Sequence, residues 1–249
     1  HDRFRGVKGT FQKSLEAIDR CREAGVKVGL RFTLTRYNQH QVSDIFQLVE
    51  ERRLNRVCFY HLVYAGRGRH RARVALGPEE TRLLVDLIFQ KTRALRQSGL
   101  ETEVLTVDNH ADAPYLYLKL KEEDPVRAEE VYKLLLWNGG NNSGIAIGCV
   151  DERGFVHPDQ FWRQYSLGNV RQRSFGEIWR DTSDPLMAAL KDRKALLEGR
   201  CSGCRFLEVC NGNFRVRAEA ALGRVWAPDP ACYLTDQEIN AWEPLEVVT

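Results

Sequence analysis

Cys201-Ser-Gly-Cys204-Arg-Phe-Leu-Glu-Val-Cys210, followed further on by Asp229-Pro-Ala-Cys232, is the stretch on which the reading of this chain turns. Two thiols two residues apart in a glycine-containing turn can approach one metal centre from a short loop. Five residues separate Cys204 from Cys210 and 21 separate Cys210 from Cys232, so the third and fourth thiols must fold back to complete a four-thiolate set. Closing the longest of these loops costs about 2.7 kcal/mol on a logarithmic estimate. Structural thiolate–metal binding supplies on the order of 10 kcal/mol, so the metal term wins. Four cysteines hold zinc as readily as an iron–sulfur cluster, and spacing alone does not choose.

The rest of the composition agrees with a metal site. Seven cysteines is an odd number, which cannot all pair within one chain. Four of the seven lie between 201 and 232, where even scattering would place about one. A cytoplasmic metal site is the expectation, because no secretory signal opens the sequence. Hydrophobic residues at 43% with 29% charged fit a folded soluble protein. No apolar run approaches the ~20 residues of a membrane span. A net charge of +3 does not by itself argue for nucleic acid. Two basic groups stand out: Arg67, Arg69, His70, Arg71 and Arg73 beside two glycines, and Arg200, Arg205, Arg215, Arg217 and Arg224 around the cysteines. Both are expected as solvated surface or as a surface for an anionic ligand.

Towards the N-terminus, helix and strand patterns alternate. Thr10 is expected to cap a helix with Phe11, Leu15, Ile18 and Cys21 at helical spacing, ended by Gly25. A buried strand follows over 26–35. Asn38 opens a second helix with Val42, Ile45, Phe46 and Val49 on one face, and a second strand runs over 56–64. Pro78 starts a helix whose buried stripe is Leu83, Leu84, Leu87, Ile88 and Leu95, before a third strand over 100–108. Strands separated by helices imply a parallel sheet. After a helix over 125–137, the turn-forming run Asn138-Gly-Gly-Asn-Asn-Ser143 marks the domain boundary near 140. Asp151-Glu-Arg-Gly154 is the turn of a β-hairpin flanked by 144–150 and 155–162. Ser174 with Glu177, and Asp184 before Pro185, start two short helices.

The spacing Cys-x2-Cys-x5-Cys-x21-Cys resembles the auxiliary-cluster site of the SPASM domain of radical S-adenosylmethionine (SAM) enzymes. The resemblance implies a 4Fe–4S cluster, not zinc, on Cys201, Cys204, Cys210 and Cys232. Two departures from the family pattern imply one auxiliary cluster and not two. Phe214 stands where a thiol of the second cluster belongs, and Gly154-Phe-Val-His-Pro-Asp159 carries Asp159 in place of another. Cys149 lies too close to Gly154 for that pattern and reads as a strand cysteine. His1-Asp-Arg-Phe-Arg-Gly6 with Gly9-Thr-Phe11 resembles the segment after the fourth strand of a radical SAM barrel, and the strands over 26–35 and 56–64 resemble its fifth and sixth. Leu167-Gly-Asn-Val170 with Phe175-Gly-Glu-Ile-Trp179 resembles the strand-to-helix passage of the SPASM domain. The implied fold is α/β: the C-terminal part of a radical SAM partial (β/α) barrel over 1–140, then a small α+β SPASM or twitch-like domain over 141–249.

More narrowly, residues 60–68, 108–115, 156–162, 210–218 and 226–233 resemble the radical SAM proteins of heme d1 biosynthesis. A sister branch acts on iron tetrapyrroles of the alternative heme pathway. The resemblance implies SAM and a second 4Fe–4S cluster as cofactors, an iron tetrapyrrole as substrate and an electron donor protein as partner, with no nucleic acid or membrane. The implied reaction converts propionate side chains of a didecarboxysiroheme-type substrate to ring carbonyls. The family's Cys-x3-Cys-x2-Cys, which holds the SAM-binding cluster, occurs nowhere in the chain. It is expected in a preceding segment, and the chain alone is expected to be inactive.

Strand alternation gives candidate binding residues. Leu30, Phe32 and Leu34 suit contact with helices, which turns Arg31 to the opposite, chamber-facing side as a carboxylate fork or a structural ion pair. His61 is a cofactor-binding or core residue. His110 and His157, in polar turns, are candidates for contact with the tetrapyrrole. A SPASM enzyme modifying peptides is one alternative. A zinc-stabilised nucleic-acid module, with Arg215, Arg217 and Arg224 on phosphates, is another.

Overall fold

A computed structural model describes residues 1–240, without the side chains of Arg67, Arg69, His70 and Arg71. The expected basic group at 67–73 therefore lies mostly outside the described residues, although Arg73 is exposed. The described residues divide into two compact units, one of residues 1–61 and 82–107 and the other of 62–81 and 108–240. Residues 108–140, which the sequence reading grouped with the barrel, pack within the second unit.

The first unit is a parallel α/β layer. Its elements are α1 (Asp2–Arg5), α2 (Thr10–Glu23), β1 (Gly29–Thr33), α3 (Val42–Glu51), β2 (Arg56–Tyr60), α4 (Pro78–Gln97, entering from the second unit) and β3 (Glu103–Val107). Asp2, not Thr10, caps α2. Its carboxylate accepts from Gly9 N at 2.6 Å, Phe11 N at 2.7 Å and the Thr10 hydroxyl at 2.8 Å. These bonds, the Thr10 hydroxyl first, hold the Asp2 pKa below the usual carboxylate value.

The strands pair in the order β1-β2-β3, in register from Gly29↔Arg56↔Glu103 to Thr33↔Tyr60↔Val107. Val57, Cys58 and Phe59 of the central strand are buried on both faces, as a parallel sheet covered by helices requires. Phe59 meets Phe32 edge-on at 6.2 Å and stacks on Phe46 of α3 at 5.2 Å. In α4 the buried apolar residues are Leu84, Val85, Ile88 and Leu95, whereas Leu83, expected in that stripe, is 73% exposed. The helical period accounts for this correction, since Leu83 lies about 140° around the axis from Ile88.

The second unit contains α5 (Asp112–Glu123), α6 (Pro125–Asn138), β4 (Cys149–Val150), β5 (Phe155–His157), β6 (Gly168–Asn169), α7 (Phe175–Arg180), α8 (Pro185–Lys191), α9 (Leu207–Cys210), α10 (Arg215–Leu222) and α11 (Asp236–Asn240). The expected hairpin forms, but β5 ends at His157 and gains β6 as a third antiparallel strand. Asp151 sets its turn by accepting from the backbone N–H groups of Arg153 and Phe155, each at 2.9 Å. The capping box of Ser174 and Glu177 is present, and Asp184 caps α8 through Met187 N at 2.9 Å.

The core of this unit gathers Val63, Trp162, Leu190, Phe214 and Val216. Arg193, Arg215 and Arg217 are buried with it. For Arg215 and Arg217 this overturns the expected surface role: both side chains are enclosed within the unit and cannot reach phosphates. Arg217 donates through Nε to Asp229 Oδ1 at 2.8 Å and through Nη2 to Oδ2 at 2.9 Å. Its Nη1 donates to the carbonyls of Leu62 at 3.2 Å and Asp108 at 2.9 Å. Asp229 also accepts from Phe214 N and Ala231 N, each at 2.9 Å.

Removing one partner of such a pair leaves an uncompensated buried charge. Arg217→Ala is expected to destabilise the second unit by about 3–5 kcal/mol, measured by denaturant unfolding. An unfolding midpoint equal to the parent's would refute this assignment.

Candidate metal centre

The four cysteines sit on turns built from local bonds. Cys201 ends the short 3-10 turn Gly199–Cys201, and Cys204 N donates to Cys201 O at 3.3 Å. Cys210 is the last residue of α9, which stops because Asn211 adopts a left-handed conformation (φ 52). Cys232 N donates to the Asp229 backbone carbonyl at 3.0 Å, so the fourth cysteine sits in the turn of the residue whose carboxylate Arg217 holds. All four thiols are free and half-buried.

Burial raises the pKa of each thiol. For Cys201 and Cys204 the rise is driven by desolvation, and Cys232 is pushed up to about 11. Cys210 rises well above the usual value, first through burial and then through the charges of Cys232, Cys204 and Cys201. The four thiols thus share one electrostatic neighbourhood. Among the described residues, however, no group of three or more His, Cys, Asp or Glu side chains could hold a metal ion. Four thiolates can hold a zinc ion or a 4Fe–4S cluster, and a cluster also brings inorganic sulfides that accept hydrogen bonds. Two further details fit it. The Nε atoms of Arg200 and Arg215, whose charges act on these thiols, are buried without a hydrogen-bond acceptor.

The positions that depart from the SPASM pattern are filled by ordinary core contacts. Asp159 accepts from the Ser143 hydroxyl at 2.6 Å, Phe161 N at 2.7 Å and Trp162 N at 2.9 Å. The Phe214 ring stacks on His110 at 5.4 Å and meets Phe161 edge-on at 5.8 Å, with the Arg217 guanidinium 5.3 Å from its centroid. Cys149 lies in β4 opposite His157.

The remaining candidates are divided between the two units. In the first unit, Leu34 is buried and Arg31 exposed, as alternation requires, and the Arg31 guanidinium lies 5.7 Å from the Tyr60 ring centroid. His61 is buried, and its backbone N donates to Val107 O at 2.9 Å. In the second unit, His157 Nδ1 bonds Tyr165 O at 2.6 Å, and its Nε2 lies 3.5 Å from Asp151. Sequence reasoning missed Asn109, Asn141, Asn211 and Asn213. Asn213 Nδ2 donates to Asn109 Oδ1 at 2.7 Å, and Asn211 Nδ2 donates to Asn141 O at 2.7 Å. The signal was the Asn211-Gly-Asn213 run, three consecutive positive-φ residues directly after Cys210.

Two predictions follow from these packing details. Gly140 has φ +67, and an added Cβ would lie 2.4 Å from the Cys210 carbonyl carbon and oxygen. Gly140→Ala is therefore expected to displace Cys210 and lower iron retention in anaerobically purified protein, where a Gly144→Ala control pushes only against Leu190. His110 has its pKa lowered from 6.5 to about 4, first by burial. A depressed folded pKa means stability present above pH 6.5 that is lost as pH falls towards 4. The His110 ring proton should titrate near 4 by NMR, and a midpoint near 6.5 would contradict its burial.

The comparisons extend the family reading over the whole chain. Residues 141–205 match the SPASM model, described as an iron–sulfur cluster-binding domain. Fe-coproporphyrin III synthase of Methanosarcina barkeri is 57% identical over 98% of this chain and 62% of its own length. Pre-heme d1 synthase of Dinoroseobacter shibae is 38% identical over 100% of this chain and 62% of its own. The chain thus spans about three fifths of these relatives. A solved structure, native anSMEcpe with bound AdoMet, aligns with a TM-score of 0.62 at 15% identity, covering 93% of this chain and 61% of that one. No helix among the described residues is long and apolar enough to cross a membrane. The parallel α/β unit, the SPASM match over 141–205 and these relatives agree: the chain is similar along its length to radical SAM proteins that carry a SPASM domain.

Proposed function

We propose that this chain forms part of a radical SAM enzyme that modifies a carboxylate-bearing iron tetrapyrrole, with Cys201, Cys204, Cys210 and Cys232 holding a 4Fe–4S auxiliary cluster. The observation that carries this reading is 57% identity, over 98% of the chain, to a protein named for the synthesis of Fe-coproporphyrin III. That relative puts formation of an iron coproporphyrin ahead of the heme d1 reaction. The second reading, conversion of propionate side chains to ring carbonyls, draws on the heme d1-like stretches and on the 38% identical relative.

SAM bound at a second 4Fe–4S cluster supplies the 5′-deoxyadenosyl radical in this family. The residues of this chain bind, orient and balance charge. Four protein thiolates leave no open iron, so the auxiliary cluster serves electron transfer or structure and does not ligate substrate. Arg31, exposed on its strand, offers a two-pronged partner for a carboxylate of SAM or substrate. His61 is the second cofactor-binding candidate of the first unit. An electron donor protein is the required partner, and the free thiols suit the reducing cytoplasm. The nucleic-acid reading loses two of its three contacts, because Arg215 and Arg217 are buried and only Arg224 is exposed.

Anaerobically purified chain is expected to be brown, with about four iron and four sulfide per chain. Serine at any of the four cysteines should lower that content, whereas Cys149→Ser should leave it unchanged. Colourless, zinc-loaded protein refutes the cluster. For the substrate class, an iron coproporphyrin added to the cluster-loaded protein should shift its own visible absorption band on binding. Binding of a peptide with no response to the tetrapyrrole would favour the peptide-modifying alternative.

A further inference from the structure

Two arginines beside the cysteines each bury an Nε–H that meets no acceptor. In Arg215, which is 1% exposed, Nη1 donates to the carbonyls of Val225 at 3.0 Å and Ala227 at 2.6 Å, and Nη2 donates to that of Gly212. Three anchors on two nitrogens fix the guanidinium plane, so Nε cannot turn to find another partner. In Arg200, Nη2 donates to Leu234 O at 2.5 Å and lies 3.0 Å from Asp236, which again leaves Nε unpaired. A buried N–H without an acceptor is destabilising, and a pair of them flanking one site calls for a ligand that accepts.

The charges of these arginines fall on the same thiols. Arg215 acts on Cys201 and Cys210, and Arg200 acts on Cys201, Cys204 and Cys232. Sulfur, whether thiolate or inorganic sulfide, accepts hydrogen bonds from amide and guanidinium N–H groups. We propose that the Nε–H groups of Arg215 and Arg200 donate to sulfur atoms of the bound cluster and hold its reduction potential high. Reduction adds one negative charge to the cluster, so a neighbouring cation and an N–H···S bond both stabilise the reduced form more than the oxidised one. Arg215 and Arg200 are thus tuning residues, and the inference rests on the four-cysteine cluster reading.

The test is a spectroelectrochemical titration of the anaerobic chain, parent against Arg200→Gln and Arg215→Lys, with iron and sulfide measured on each. Arg200→Gln removes a charge and an Nε–H and is expected to shift the reduction equilibrium at least tenfold towards the oxidised cluster, about 59 mV for one electron. Arg215→Lys keeps the charge and loses the Nε–H, and should shift it in the same direction by less. Variants that carry a full cluster at the parent's midpoint potential overturn the proposal while leaving the cluster reading intact. Because Arg215 also anchors three carbonyls, a readout on the unaltered protein accompanies the variants. With 15N-labelled arginine, pulsed EPR of the reduced cluster should resolve a coupled 15N nucleus, and an uncoupled spectrum overturns the proposal. A parent chain with no iron overturns the cluster reading and this inference together, and metal analysis separates that outcome from the others.

Discussion

The buried pair of Arg217 and Asp229 is the interaction on which the second unit depends. Its two parallel bonds, at 2.8 and 2.9 Å, are only part of what the groups do. Arg217 also ties down the carbonyls of Leu62 and Asp108, the first residues of the two segments that enter this unit. Asp229 in turn holds the backbone of Phe214 and Ala231. Phe214 follows Cys210 by four residues and Ala231 precedes Cys232 directly. One carboxylate therefore fixes two cysteine-bearing segments that the sequence keeps 21 residues apart. Burying two charges is expensive in isolation, and it becomes favourable only where every lone pair and proton finds a partner. That condition is met closely here.

What the sequence disclosed was whatever depends on local period and local chemistry. The three parallel strands were legible from apolar runs between helical patterns, and the capping boxes from side chains that bond their own turn. The four cysteines were legible because clustering and spacing survive without knowledge of the fold. The roles of Arg215 and Arg217 were not legible. A buried arginine and a surface arginine look alike in a chain, and the difference lies in carbonyls and a carboxylate contributed by distant loops. α5 was missed for a local reason. Pro114 interrupts the pattern three residues into the helix, where a missing N–H breaks no intrahelical bond.

The departures from the two-cluster pattern gain a physical account. A residue that merely replaced a lost ligand would leave an unsatisfied site. Asp159 instead takes three hydrogen bonds, and Phe214 sits among His110, Phe161 and Arg217 in close ring contact. Such packing is that of a well-filled interior, where an aromatic ring is held on several sides. The segment keeps the backbone turns of a ligand loop, with Asn211, Gly212 and Asn213 all at positive φ, but uses them to join Asn141 and Asn109.

Charge explains why so many arginines surround the remaining cysteines. Each thiol prefers its neutral form when buried, and the preference is strongest for Cys210, where the other three thiols add repulsion. In the proposed cluster, ligation to iron would remove the protons outright and leave a net anionic group in a low-dielectric interior. Fixed cations would supply there the compensation that water cannot. Arg193 and Arg215 repel one another, and burial lowers the Arg193 pKa to about 10. Arg193 also feels the charge of Asp159 and Arg215 that of Asp229. Arg215 and Arg200 act in addition on the thiols, so the proposed cluster would give these two guanidinium groups an anion to face and would relieve the thiol–thiol repulsion at the same time.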